Sequence, residues 1–164
     1  MPELAVDRVL AVLQRHEVRY VLIGGLAAQV RGSAYNTNDI DITPDRAHEN
    51  LAKLSAALRD LNARVRSPDV PEGLPFDHDA ASLARADVSN LTTDAGDLDI
   101  SFVPTGTQGF EDLVRDAGTV EITGVPVLVA SLADVVRSKQ AAGRPKDLLV
   151  LPALRRLLDE GPPT

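Results

Sequence analysis

The chain has 164 residues, of which 44% are hydrophobic and 25% charged, a length and composition that favour one domain spanning residues 1–164 with a sizeable buried core. Aromatic residues make up only 3%, so that core must be aliphatic, and the lack of cysteine excludes disulfides, thiolate metal sites and cysteine nucleophiles. A net charge of −7 argues against indiscriminate nucleic-acid binding, which depends on Lys and Arg neutralising phosphates.

Residues 3–16 place Leu4, Val6, Val9, Leu10 and Leu13 at helical intervals, which predicts an amphipathic helix. The amino terminus lacks an uninterrupted apolar run, and no later segment approaches about 18 apolar residues, so a cytoplasmic protein with no membrane partner is expected. Tyr20 to Ile23 reads as an apolar strand, Gly24-Gly25 as a turn into a short Ala-rich helix, and the stretch through Asp39 to Thr43 as a second strand. Side chains two apart on a strand share a face, so Asp39 and Asp41 point one way and Ile40 and Ile42 the other. Two carboxylates held side by side repel each other and call for a cation.

Thr43-Pro44-Asp45 supplies a capping hydroxyl, a proline at the first helical position and an acid in the first turn, predicting a helix over 45–61 with Leu51, Leu54, Leu58 and Leu61 buried. Residues 63–66 read as a short edge strand. Residues 67–85, rich in proline and aspartate, read as a long loop, functional or disordered, in which His78 is a lid candidate. Residues 87–93 and 98–103 read as strands joined by a turn at 93–97; Asp97, Asp99 and Ser101 share a face, with Asp99 the candidate third carboxylate and Asp97 its alternative. A helix over 108–117 and a hairpin over 119–130, turning at Gly124, come next. Ser131 then caps a helix that Gly143 ends, and Pro145 with Asp147 opens a final helix through Leu158. Strands and helices intermix without regular alternation, so the expected fold is α+β, a mixed sheet flanked by helices, with its core over about residues 18–158.

Hard oxygen ligands such as Asp39, Asp41 and Asp99 suit Mg²⁺ or Mn²⁺. Gly24 and Gly25 let backbone amides approach a phosphate without a Cβ in the way, at a helix amino terminus that favours anions. Lys139, Arg144 and Lys146 are the cations placed to reach a triphosphate, against the alternative that they serve a helix carboxy-terminal dipole. Residues 130–160 carry Arg137, Lys139, Arg144, Lys146, Arg155 and Arg156 against 4 anions, a local balance of +2 beside −9 for the remainder, so this third is the part able to face a polyphosphate or an RNA end. His16 and His48 show no zinc spacing, and Ser33 and Ser101 lack a Gly-x-Ser-x-Gly context.

The Gly-Gly turn, short helix and Asp-x-Asp, with the later blocks NLTTDAGDLDISF and VASLADVVRSKQAAGRPKD, resemble the nucleotidyltransferase superfamily over about residues 20–158. The resemblance is greatest to the minimal AbiEii-type or MenT-like toxin nucleotidyltransferases. It implies a nucleotidyltransferase-like fold and transfer of a nucleoside monophosphate from an NTP to an acceptor hydroxyl. It further implies Mg²⁺ or Mn²⁺ on Asp39, Asp41 and Asp99, and nucleotide contacts from Gly24, Gly25, Thr37, Lys139, Arg144 and Lys146. The implied acceptor is tRNA or another RNA end, with an antitoxin as partner; relatives that modify small molecules such as antibiotics, or protein hydroxyls, give the alternative, beside a degenerate nucleotide-binding module. Tyr35 stands two residues before Thr37, where many relatives carry Arg, which implies loss of a phosphate or base contact.

Overall fold

In the computed structural model, which describes residues 3–75 and 79–161, the first helix, α1 (Val6–Arg15), turns Val9, Leu10 and Leu13 into the core, the stripe that the sequence spacing predicts. β1 (Tyr20–Ile23) runs directly into α2 (Gly24–Val30), and β2 (Asp39–Pro44) follows. The helix expected to begin at Asp45 starts later. Pro44 is the last residue of β2, opposite Tyr20 in the antiparallel β1–β2 pair, and α3 spans His48–Asp60. The cause is local: Thr43 is fully buried in the strand, and the Asp45 carboxylate accepts from the Ala47 amide and pairs with Arg19, which fixes a connection where a first helical turn was expected.

β3 (Arg64–Val65), α4 (Ala80–Arg85), β4 (Val88–Thr93) and β5 (Gly96–Ser101) come next. The stretch expected as a loop over 67–85 is thus partly ordered. Leu74 bridges to Val65, Asp79 caps α4 by accepting from the Ser82 amide, and Leu83 is buried. The lid candidate His78 lies outside the described residues. α5 (Phe110–Leu113) is one turn, shorter than expected at both ends; its start is delayed because Gly109 sits at φ 91°, outside the right-handed helical region.

β6 (Gly118–Ile122) and β7 (Val125–Val129) form the expected hairpin, with Thr123 and Gly124 both at positive φ. α6 (Leu132–Ala142) is capped by the Ser131 hydroxyl, which accepts from the Asp134 amide, and ends at left-handed Gly143. α7 (Pro145–Glu160) closes the described chain.

The strands form a mixed sheet in the order β3-β4-β5-β2-β1-β7-β6, with β2 antiparallel to β1 and parallel to β5. Helices flank it: α1 packs on α3 and β7, α3 on α4, and α6 on α2 and α7. This is the mixed α/β arrangement expected from the sequence. Among the described residues no helix is long and apolar enough to cross a membrane.

Candidate active site

The site is set by the register of two parallel strands. β2 and β5 pair so that Asp41 lies beside Asp99 and Asp39 beside Asp97, while Ile40, Ile42, Leu98 and Ile100 are fully buried on the other face. Side chains alternate along a strand, so a one-residue slip would send the carboxylates into the apolar layer; burial of the four aliphatic residues therefore fixes where the acids stand. Carboxylate oxygens of Asp39, Asp41 and Asp99 all lie within 4.8 Å of one another.

Burial and crowding both act on Asp41 and Asp99. Burial, then the neighbouring charges of Asp39 and Asp99, pushes Asp41 up to about 7. Burial, followed by a hydrogen bond with Asp39, raises Asp99 to about 6. Asp41 and Asp99 are thus drawn toward their protonated forms in the absence of a cation, and the donor set of three carboxylates is that of a hard divalent ion, so the residues fit Mg²⁺ or Mn²⁺.

The surrounding residues hold the cluster in place. A Cβ on Gly24, whose φ is +70°, would lie 2.8 Å from the Asp41 Cγ, so glycine at this position makes room for the carboxylate itself. A Cβ on Gly25 would come within 3.0 Å of Thr37 Oγ1, which donates at 3.1 Å to Asp39 Oδ1 or to its backbone carbonyl. The two glycines thus act through Asp41 and Thr37, a packing constraint beyond the phosphate approach inferred from their sequence.

Asp147 is the residue that sequence reasoning undervalued. It reads as a first-turn acid of α7, yet its side chain is fully buried, takes the Arg144 guanidinium at 2.7 Å and 3.2 Å, and lies 3.6 Å from Lys139 Nζ. The bend at Gly143 folds α7 back on α6 and brings the partners together. Lys139 and Lys146 both favour the ionised form of Asp41, which places their charge toward the acidic cluster. Arg66 also escaped notice. Its Nη2 donates to Asp99 Oδ1 at 2.8 Å and its Nε lies 3.3 Å from Asp97 Oδ2, so Asp97 faces Arg66 and Asp99 alone of the two joins the cluster.

Gly24, Gly25, Thr37, Asp39, Asp41, Asp99, Lys139, Arg144 and Lys146 all line one cleft of about 680 Å³, and Tyr35 lines it too. The other cations of the carboxy-terminal third do not converge there. Arg137 is paired with Asp112 at 2.9 Å and Asp134 at 3.0 Å, and Arg155 and Arg156 are exposed on α7 away from the cleft lining.

The family model for aminoglycoside-2''-adenylyltransferase matches residues 5–141. No curated protein matches the sequence significantly. Among solved structures, the lincosamide antibiotic adenylyltransferase LnuA with lincomycin bound is 17% identical, covers 93% of this chain and 98% of its own, and superposes with a TM-score of 0.60. ANT(2'')-Ia in complex with adenylyl-2''-tobramycin is 16% identical over 93% of this chain and 86% of its own, with a TM-score of 0.58. A Thermotoga maritima protein assigned as a nucleotidyltransferase is 19% identical over 94% and 91%, with a TM-score of 0.52. At these identities the likeness establishes the nucleotidyltransferase fold. The two that are described by their substrates are antibiotic adenylyltransferases, and none of the three is described as a toxin.

Proposed function

Because the chain belongs to the aminoglycoside-2''-adenylyltransferase family, and so to the nucleotidyltransferase enzymes, we propose that it transfers AMP from ATP to a hydroxyl of a small-molecule acceptor. The observation that carries this is the convergence of Asp39, Asp41 and Asp99 with Lys139, Arg144 and Lys146 in one cleft. The three aspartates would hold Mg²⁺ or Mn²⁺, which when bound lowers the pKa of the attacking hydroxyl and offsets charge on the leaving pyrophosphate. Thr37 orients the Asp39 carboxylate, and Gly24 leaves Asp41 the space to face the same point. Lys139 and Lys146 present positive charge to the polyphosphate, while buried Asp147 holds Lys139 and Arg144 near each other so that little side-chain entropy is lost on binding.

An RNA end as acceptor, with an antitoxin as partner, is less well supported. It rests on the basic carboxy-terminal third, where Arg137 is occupied by Asp112 and Asp134 and Arg155 and Arg156 lie away from the cleft. The comparisons favour small-molecule acceptors. The test is transfer of label from α-labelled ATP with Mg²⁺ to lincomycin, tobramycin or total tRNA. Label on a small molecule, lost in Asp41→Asn, is expected; label on tRNA alone overturns the proposal.

A further inference from the structure

We propose that the acceptor is a hydroxyl compound with an apolar body and at most one positive charge, and not a polycation; this rests on the adenylyl-transfer reading above. A polyamine in this cleft needs carboxylates left free by the nucleotide and its ions. Besides the three clustered aspartates, Asp134 is the one carboxylate among the described lining residues. One of its oxygens, Oδ1, is 3.0 Å from Arg137, and the other, Oδ2, is buried and accepts no hydrogen bond. Asp134 as a whole is 8% exposed. Asp134 could thus meet at most one amine or hydroxyl, and only by exposing Oδ2. Further ammonium groups would be stripped of water without a partner and would face Lys139, Arg144 and Lys146, both unfavourable.

The exposed apolar side chains on the wall carry the other half of the argument. Val88 is 60% exposed, Leu149 67% and Tyr35 43%, and all three line the cleft. They come from β4, α7 and the α2–β2 connection, so the apolar wall is assembled from separate elements around one opening. Large apolar side chains gathered at a polar cleft mark where an apolar ligand surface is buried.

Binding is measured by calorimetry on the full chain loaded with Mg²⁺ and a non-hydrolysable ATP analogue, with lincomycin, which has one basic amine, and tobramycin, a polyamine, as probes. Lincomycin is expected to bind at least about tenfold more tightly, with an affinity nearly constant as salt rises, since screening acts on charge pairs. Val88→Asp and Leu149→Asp should weaken lincomycin and strengthen tobramycin, and a retained melting shift with Mg²⁺ and the nucleotide shows that each variant is folded with an intact donor site. Tobramycin binding as tightly as lincomycin to the wild type, or neither binding, overturns the inference while leaving adenylyl transfer in place. Absence of any nucleotide shift in the wild type overturns the underlying reading, and the inference with it.

Discussion

Removing divalent metal should make this protein less stable as pH rises through the neutral range. Asp41 has a folded pKa of about 7 against 3.8 when unfolded, because it is buried beside Asp39 and Asp99. Between those values the folded chain keeps a proton that the unfolded chain releases, so unfolding becomes easier with each unit of pH, by about 1.4 kcal/mol per group. From pH 5 to pH 7 this removes roughly 2–3 kcal/mol, and for a chain of this size that lowers Tm by roughly 5–10 °C. Asp99, raised to about 6 and sharing a hydrogen bond with Asp39, acts in the same direction, and the cluster titrates as a set. Asp60, Asp79, Asp112 and Asp147 are shifted below 3.8, so their contributions are complete by pH 5 and do not vary across this range. The assay is scanning calorimetry in chelator at matched ionic strength at pH 5, 6, 7 and 8. The wild-type Tm should fall with pH; Asp41→Asn should flatten the fall and be more stable than wild type at pH 8. A metal-free Tm that holds constant or rises from pH 5 to 7, or an Asn variant less stable at pH 8, refutes the reasoning.

Gly24→Ala puts a Cβ against the Asp41 carboxylate at a backbone φ of +70°, so left-handed strain and overpacking should together cost roughly 2–4 kcal/mol in urea denaturation and abolish the nucleotide-dependent melting shift. Asp147→Asn leaves Lys139 and Arg144 without their buried carboxylate; the expected outcome is a loss of about tenfold in ATP affinity by equilibrium dialysis, about 1.4 kcal/mol, with acceptor binding to the nucleotide-loaded form little changed.

The acidic cluster was legible because strand alternation carries it. Asp39 and Asp41 bracket Ile40, Asp97 and Asp99 bracket Leu98, and an apolar layer on one face forces the acids to the other. The choice of Asp99 over Asp97 also agrees with the geometry, but the physical cause was not readable: Arg66, thirty-three residues away, reaches both acids from the end of β3. Likewise, the start of α3 was misplaced because Thr43-Pro44-Asp45 has the chemistry of a helix start, yet pairing with β1 keeps Pro44 in the sheet. Tertiary hydrogen bonding there overrides a local signal. α4 stayed hidden because its six residues show no periodicity beyond buried Leu83.

The same contrast accounts for the acceptor being less legible in the sequence than the reaction. The residues proposed to serve the nucleotide occur in short runs, Gly24-Gly25, Thr37 to Asp41, Lys139 to Lys146, where spacing along the chain converts directly into spacing in the cleft. A resemblance built on those runs therefore speaks to the donor and the reaction. The wall proposed to meet the acceptor takes single residues such as Tyr35, Val88, Asp134 and Leu149 from unconnected elements. No local pattern announces such a wall. Substitutions within it also leave the register of β2 and β5 untouched, so a chain can keep the acidic cluster while changing what it adenylylates. For this reason the family match carries the proposed reaction, while the proposed choice among acceptors rests on the carboxylates and apolar side chains of that wall.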